Sequence, residues 1–145
     1  MRQYQVTFIQ AVQRAFKKYC VFSGRASRSE YWWFVLFVTV IGWVLAAPSF
    51  AASVQTIADG VNADMAAAEF SVWDGVNGLW GLIMLLPTMG LMFRRLHDSG
   101  HSGWNWFWSF LPVIGTIILL VYLCQPSVPG ENKYGPVPNE IKDQF

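Results

Sequence analysis

The chain has 145 residues, of which 54% are hydrophobic and only 13% charged, about half the ~25% charge of an ordinary soluble domain. Ten Lys/Arg and nine Asp/Glu are too few to cover a soluble core of this size, and the hydrophobicity excludes intrinsic disorder. A formal charge of +1 excludes a strongly basic nucleic-acid binder, and two distant cysteines exclude a disulfide scaffold.

The composition is that of a small all-α integral membrane helical bundle, read as one membrane domain over residues 1–138 with a polar tail over 125–145. Gln3–Cys20 reads as an amphipathic helix. Tyr4, Phe8, Val12 and Phe16 share a face that Ile9, Tyr19 and Cys20 widen, with Val6 as an exception. Gln3, Gln10, Gln13, Arg14 and Lys17 lie opposite, with Lys18 at the margin. Such a helix lies in the membrane interface, where Arg14, Lys17 and Lys18 meet anionic headgroups at about 1 kcal/mol each. Packing on the bundle is the alternative. No removable signal peptide is expected, the first span serving as an uncleaved one.

Next comes Gly24-Arg25-Ala26-Ser27-Arg28-Ser29-Glu30-Tyr31-Trp32. Ser27 and Glu30 have capping-box spacing before an apolar run: the Ser27 hydroxyl accepts from the Glu30 amide, and Glu30 reaches back. That accounts for Glu30. It leaves Arg25 and Arg28 to topology or headgroup contact.

Three windows follow with almost no charge. Tyr31–Ala58 and Gly75–Phe93 have none, and Ser99–Gly130 holds only His101 and Cys124 as groups titrating near neutrality. A bilayer core needs about 20 apolar helical residues, so the expected spans are Tyr31–Ser53, Gly75–Phe93 and Trp104–Cys124. Trp32, Trp33, Trp73 and Trp104 stand at their edges, where indole rings favour the interface. Pro48, Pro87 and Pro112 each remove a backbone donor. Leu111-Pro112-Val113-Ile114-Gly115 is either a kink in one helix or the turn of a re-entrant hairpin. Gly42/Ala46, Ala47/Ala51 and Gly75/Gly78/Gly81 are small-residue sets suited to helix packing, within the chain by default. Cys20 and Cys124 read as packing thiols with no disulfide.

Six basic residues from Arg2 to Arg28 precede the first span, and Arg94 and Arg95 follow the second. The Val54–Asp74 connection instead carries Asp59, Asp64, Glu69 and Asp74 with no Lys or Arg. The positive-inside rule places the N-terminus in the cytoplasm and the acidic loop outside. Those acids read as solvation, not as a metal site. Gln125–Phe145, with Pro129-Gly130-Glu131-Asn132-Lys133-Tyr134-Gly135-Pro136, reads as an extended surface tail.

Phe93-Arg94-Arg95-Leu96-His97-Asp98-Ser99-Gly100 is the second of three polar stretches in chain order, after Gly24–Trp32 and before Pro129–Pro136. Its plain reading is a basic anchor and a turn; its sharper reading has Asp98 pairing with an arginine or orienting His97. His97 and His101 have helical metal-ligand spacing, but Ser99-Gly100 interrupts it and no third ligand is evident. No metal and no cofactor is expected.

Taken in order, Gly24-Arg25, Arg28, Glu30-Tyr31-Trp32, Arg94-Arg95-Leu96-His97-Asp98, Pro129-Gly130-Glu131-Asn132 and Gly135-Pro136 resemble the bacterial inner-membrane family named domain of unknown function 805. The resemblance covers roughly Phe16–Pro138. It implies a small multi-spanning membrane protein and supplies no substrate or catalytic residue. The acidic Val54–Asp74 connection is longer than the family pattern.

The leading functional expectation is a non-enzymatic inner-membrane protein acting through lipids, another membrane protein or a second copy of itself. Basic residues including Arg25 and Arg28 engage anionic lipid in this reading, while Arg95, His97 and Asp98 form a polar cluster. An oligomeric channel or small transporter is second, weakened because no span core holds an ionisable relay. An interfacial lipid-headgroup enzyme using His97 is third and requires all three polar motifs to meet on one face.

Overall fold

The computed structural model describes residues 5–60 and 72–138. Among these, every extended element is helical: α1 (Phe8–Lys17), α2 (Arg28–Ala58), α3 (Val72–Asp98), a 3-10 helix (Gly103–Phe110) and α4 (Ile114–Cys124). Asp64 and Glu69 of the acidic connection lie outside the described residues, as do Gln3 and Tyr4.

α1 begins at Phe8, later than the periodicity suggests. Gln10 Oε1 accepts from the Thr7 amide at 3.2 Å, and that contact fixes the start. At its end the Lys18 amide bonds back to Arg14, and Lys18–Cys20 turn away from the helix. The packed face consists of Ala11 and Ala15, both fully buried, while Phe8 and Phe16 set their rings edge-on to Trp33 and Phe34. Small residues at the seam and aromatics beside it bring α1 close to the start of α2.

α2 has 31 residues and α3 has 27. Both continue through their prolines, Pro48 and Pro87. They are the two helices among the described residues long and apolar enough to cross a membrane. Almost none of the most apolar stretch of α2 is buried, which a soluble core helix does not tolerate.

The segment expected as a third span is not one helix. The 3-10 helix ends at Phe110, and α4 has only 11 residues, or about 16 Å at 1.5 Å per residue, half the ~30 Å of a hydrocarbon core. The break sits at Pro112-Val113. The Ile114 amide donates to the Pro112 carbonyl at 2.8 Å, and Val113 takes φ 65° and ψ −71°, a strained γ-turn geometry. The chain then doubles back tightly: a Cβ at Gly115 would lie 1.8 Å from the Trp108 carbonyl oxygen. Only glycine permits that approach. Pro112 therefore marks a hairpin and not a kink.

The chain forms two compact units, one of residues 36–85 and one of residues up to 35 with those from 86 onward. In the central unit, Trp80 Nε1 donates to the Val38 carbonyl at 3.2 Å, and its ring meets Phe37 edge-on. Many of its other large apolar side chains, such as Trp43, Phe50 and Leu82, are exposed, while Met84 is buried. Gly78 and Gly81 have nothing within 4 Å of a would-be Cβ, so these two do not mediate close packing in the described chain. Cys20 and Cys124 are free and exposed rather than packed.

Candidate functional site

The terminal unit buries a set of charged side chains. Arg25, Glu30, Arg94, Arg95 and Asp98 are all buried. Asp98 stands at the C-terminal end of α3, where it can reach both the loop before α2 and the chain after α4. Arg25 Nε donates to Asp98 Oδ1 at 2.9 Å, and Arg25 Nη2 lies at the same distance from that oxygen. Arg95 Nη1 pairs with Asp98 Oδ2, and the Ser127 hydroxyl donates to the same oxygen. One carboxylate thus joins the first two polar stretches to the chain just before the third, which Arg25 itself reaches through Gly130 and Gly135.

The arginines complete the knot through backbone carbonyls. Arg25 Nη1 donates to Gly130 O at 2.7 Å and Gly135 O at 3.4 Å, and Nη2 to Val128 O at 2.7 Å. Arg95 Nε donates to Leu123 O at 3.0 Å, and its Nη2 to Gln125 O. These are carbonyls at the end of α4 that no further helical turn satisfies. Arg25 is consequently unavailable to headgroups, contrary to the expectation from sequence. Nor is residue 125–138 an extended surface segment. Gly130 (φ 76°) and Gly135 (φ 125°) turn the backbone, Asn132 and Gly135 exchange backbone hydrogen bonds, and Val137 is buried.

Glu30 has a second task beyond its cap. Its amide donates to Ser27 Oγ at 3.3 Å, and its carboxylate lies 3.4 Å from Arg94 Nη1 and 3.8 Å from Arg14 Nη1. Arg94 Nη2 is buried and has no hydrogen-bond partner among the described residues. Three buried guanidinium groups face two buried carboxylates. Such a knot contributes little net stability over an apolar core, but removing one partner leaves a buried charge uncompensated.

His97 belongs to a separate arrangement and is not oriented by Asp98. His97 Nδ1 lies 3.3 Å from the Gly24 carbonyl. Its ring stacks on Tyr134 with centroids 3.8 Å apart and planes 5° apart. Asn132 Nδ2 donates to the His97 carbonyl at 3.0 Å. His97 and Tyr134 line a cavity of about 440 Å³. Phe22, Phe93, Trp106 and Phe107 form its aromatic wall. His101 stacks instead on Tyr122, with Nδ1 3.2 Å from Ser99 Oγ. Among the described residues, no group of three or more His, Cys, Asp and Glu is placed to hold a metal ion.

Of the residues singled out from sequence, Arg25, Glu30, Arg94, Arg95 and Asp98 lie in the knot, and His97 and Asn132 beside the cavity. Arg28, Lys17, Lys18 and Glu131 are exposed, and Arg14 is partly covered near Glu30. Ser127, Val128 and Tyr134 were not singled out. The signal for Tyr134 was its place within the third polar stretch; Ser127 and Val128 carried none.

The family model described as "Protein of unknown function (DUF805)" matches residues 19–136. The chain is 35% identical to inner membrane protein YhaH of Escherichia coli (strain K12) over 126 residues, covering 86% of this chain and 93% of that one. It is 34% identical to inner membrane protein YhaI of the same organism over 122 residues, covering 84% and 89%. No solved structure matches it.

Proposed function

The chain belongs to the DUF805 family of unknown function, and from that premise we propose a small bacterial inner-membrane protein with two spans and one composite cytoplasmic face. It acts without catalysis, by engaging lipid or another membrane component at that face. In this reading α2 and α3 cross the bilayer, the N-terminus and the Arg94–Gly103 connection lie in the cytoplasm, and the 3-10 helix–α4 hairpin enters and leaves the same leaflet.

The single observation that carries this reading is the Asp98 knot. Arg25, Arg95 and Ser127 touch one carboxylate, and groups in direct contact cannot sit on opposite sides of a ~30 Å core. Positive charge before α2 and after α3 supports a cytoplasmic location for that shared side. The relatives' names as inner membrane proteins support the compartment. Non-polar wedges fit the hairpin as well: Trp104, Phe110, Val113 and Ile114 are exposed on it.

Of the basic residues expected to meet anionic lipid, Lys17, Lys18 and Arg28 are the exposed ones. Purified protein should retain several-fold more anionic phospholipid than a variant carrying Lys17→Gln, Lys18→Gln and Arg28→Gln, measured by lipid extraction after detergent purification. Equal retention contradicts the lipid part of the reading. The condition for a headgroup enzyme, convergence of the three polar stretches, is met in space. However, Arg25, Arg95 and Asp98 are spent on one another, which favours a structural role for them.

A further inference from the structure

The cavity beside His97 has a defined chemistry. A carbonyl oxygen only accepts, so the hydrogen bond to Gly24 puts the proton of a neutral His97 ring on Nδ1. Nε2 then presents a lone pair, and it has no hydrogen-bond partner among the described residues. Stacking on Tyr134 fixes the ring plane.

Gly103 keeps that lone pair open. A Cβ there would stand 3.3 Å from His97 Nε2 and 3.3 Å from Phe93 Cδ1. Any side chain would cover the nitrogen from within the cavity lining. The rest of the lining is rings, with Ser102 as a small polar group and no Lys, Arg, Asp or Glu. A phosphate or carboxylate head would therefore find no counter-charge in the lining itself, the nearby Lys133 ammonium lying over the Tyr134 ring, 4.9 Å from its centroid. A neutral planar ring meets aromatic faces and edges on several sides. At about 440 Å³ the space lies within the ~300–1,000 Å³ range of small-molecule sites.

We propose that this cavity binds the phenolic head of a membrane-dissolved amphiphile, a phenol or hydroquinone ring whose hydroxyl donates to His97 Nε2. Entry of the ligand from lipid rests on the re-entrant hairpin proposed above, because Trp104 and Phe107 of the lining are exposed on that hairpin. Recognition within the cavity does not depend on it.

The matched probes are 4-heptylphenol and its methyl ether, which differ in the hydroxyl donor. They are titrated calorimetrically against the full chain in detergent micelles. The wild type should bind the phenol about fivefold more tightly than the ether, the usual net effect of one hydrogen bond. His97→Phe and Gly103→Ala should each abolish that preference. Gly103→Ala leaves the His97–Gly24 bond in place, so it keeps the test valid if His97→Phe fails to fold. Equal affinity for both probes, no binding of the phenol, or a preference that survives Gly103→Ala overturns the proposal. Failure of the two-span reading is detected separately, by the side on which the tail is labelled, and leaves these affinities unchanged.

Discussion

Residues 36–85 and the rest of the chain solve opposite problems with the same helices. In the central unit many apolar side chains are exposed: Trp43 is 77% exposed and Phe50 72%. Some polar groups there are satisfied locally: Ser53 and Thr56 donate to carbonyls one turn back. In the terminal unit Arg95 and Asp98 are both 0% exposed; they pair with each other, and their other side-chain contacts reach Arg25, Leu123, Gln125 and Ser127, far away in sequence. The contrast teaches that the central unit derives its specificity from its solvent, whereas the terminal unit derives it from side-chain bonds. A membrane can hold the first with almost any apolar residues; the second depends on individual atoms.

Substitutions that alter one unit and not the other test this contrast. Asp98→Asn keeps the shape but leaves Arg25 and Arg95 without their counter-charge. It should lose about 3–5 kcal/mol, read as a large fall in thermal stability in detergent. Gly115→Ala should follow. Its methyl group would overlap the Trp108 carbonyl, and the strain should amount to about 1–3 kcal/mol, with the hairpin opening to proteolysis between Phe110 and Ile114. Val113→Gly should act in the other direction. It relieves a β-branched residue held at φ 65° and should stabilise the protein by about 1 kcal/mol. Leu82→Ala, at a side chain 66% exposed in the central unit, should change stability in lipid by less than about 0.5 kcal/mol. A Leu82→Ala effect as large as that of Asp98→Asn would erase the distinction between the units.

Much of the fold was legible because it is written in what the sequence omits. The charge-free windows after Glu30 and after Asp74 locate α2 and α3, and the Ser27/Glu30 spacing marks where α2 begins. The third window was misleading for a physical reason. Hydropathy counts apolar residues, but a span also needs an unbroken helix, and the γ-turn at Val113 and the close approach at Gly115 break this one. Arg94, Arg95, His97 and Asp98 stood out as ionisable groups at a membrane boundary, and an arginine was the expected partner of Asp98, yet the backbone partners did not stand out. Arg25 binds mostly backbone carbonyls, those of Val128, Gly130 and Gly135. A carbonyl has no residue type, so the tail looked like a solvated turn. Gly103 likewise shows its importance only through what a side chain would touch.

The central claim is that the N-terminal, middle and C-terminal polar stretches occupy one side of the membrane. Its most direct test is a single cysteine at the exposed Glu131 position, with Cys20 and Cys124 replaced by serine, probed with a membrane-impermeant maleimide. The account predicts labelling in inside-out vesicles and protection in intact spheroplasts. Labelling from outside intact spheroplasts would place the tail across the bilayer from Arg25 and Asp98 and contradict it.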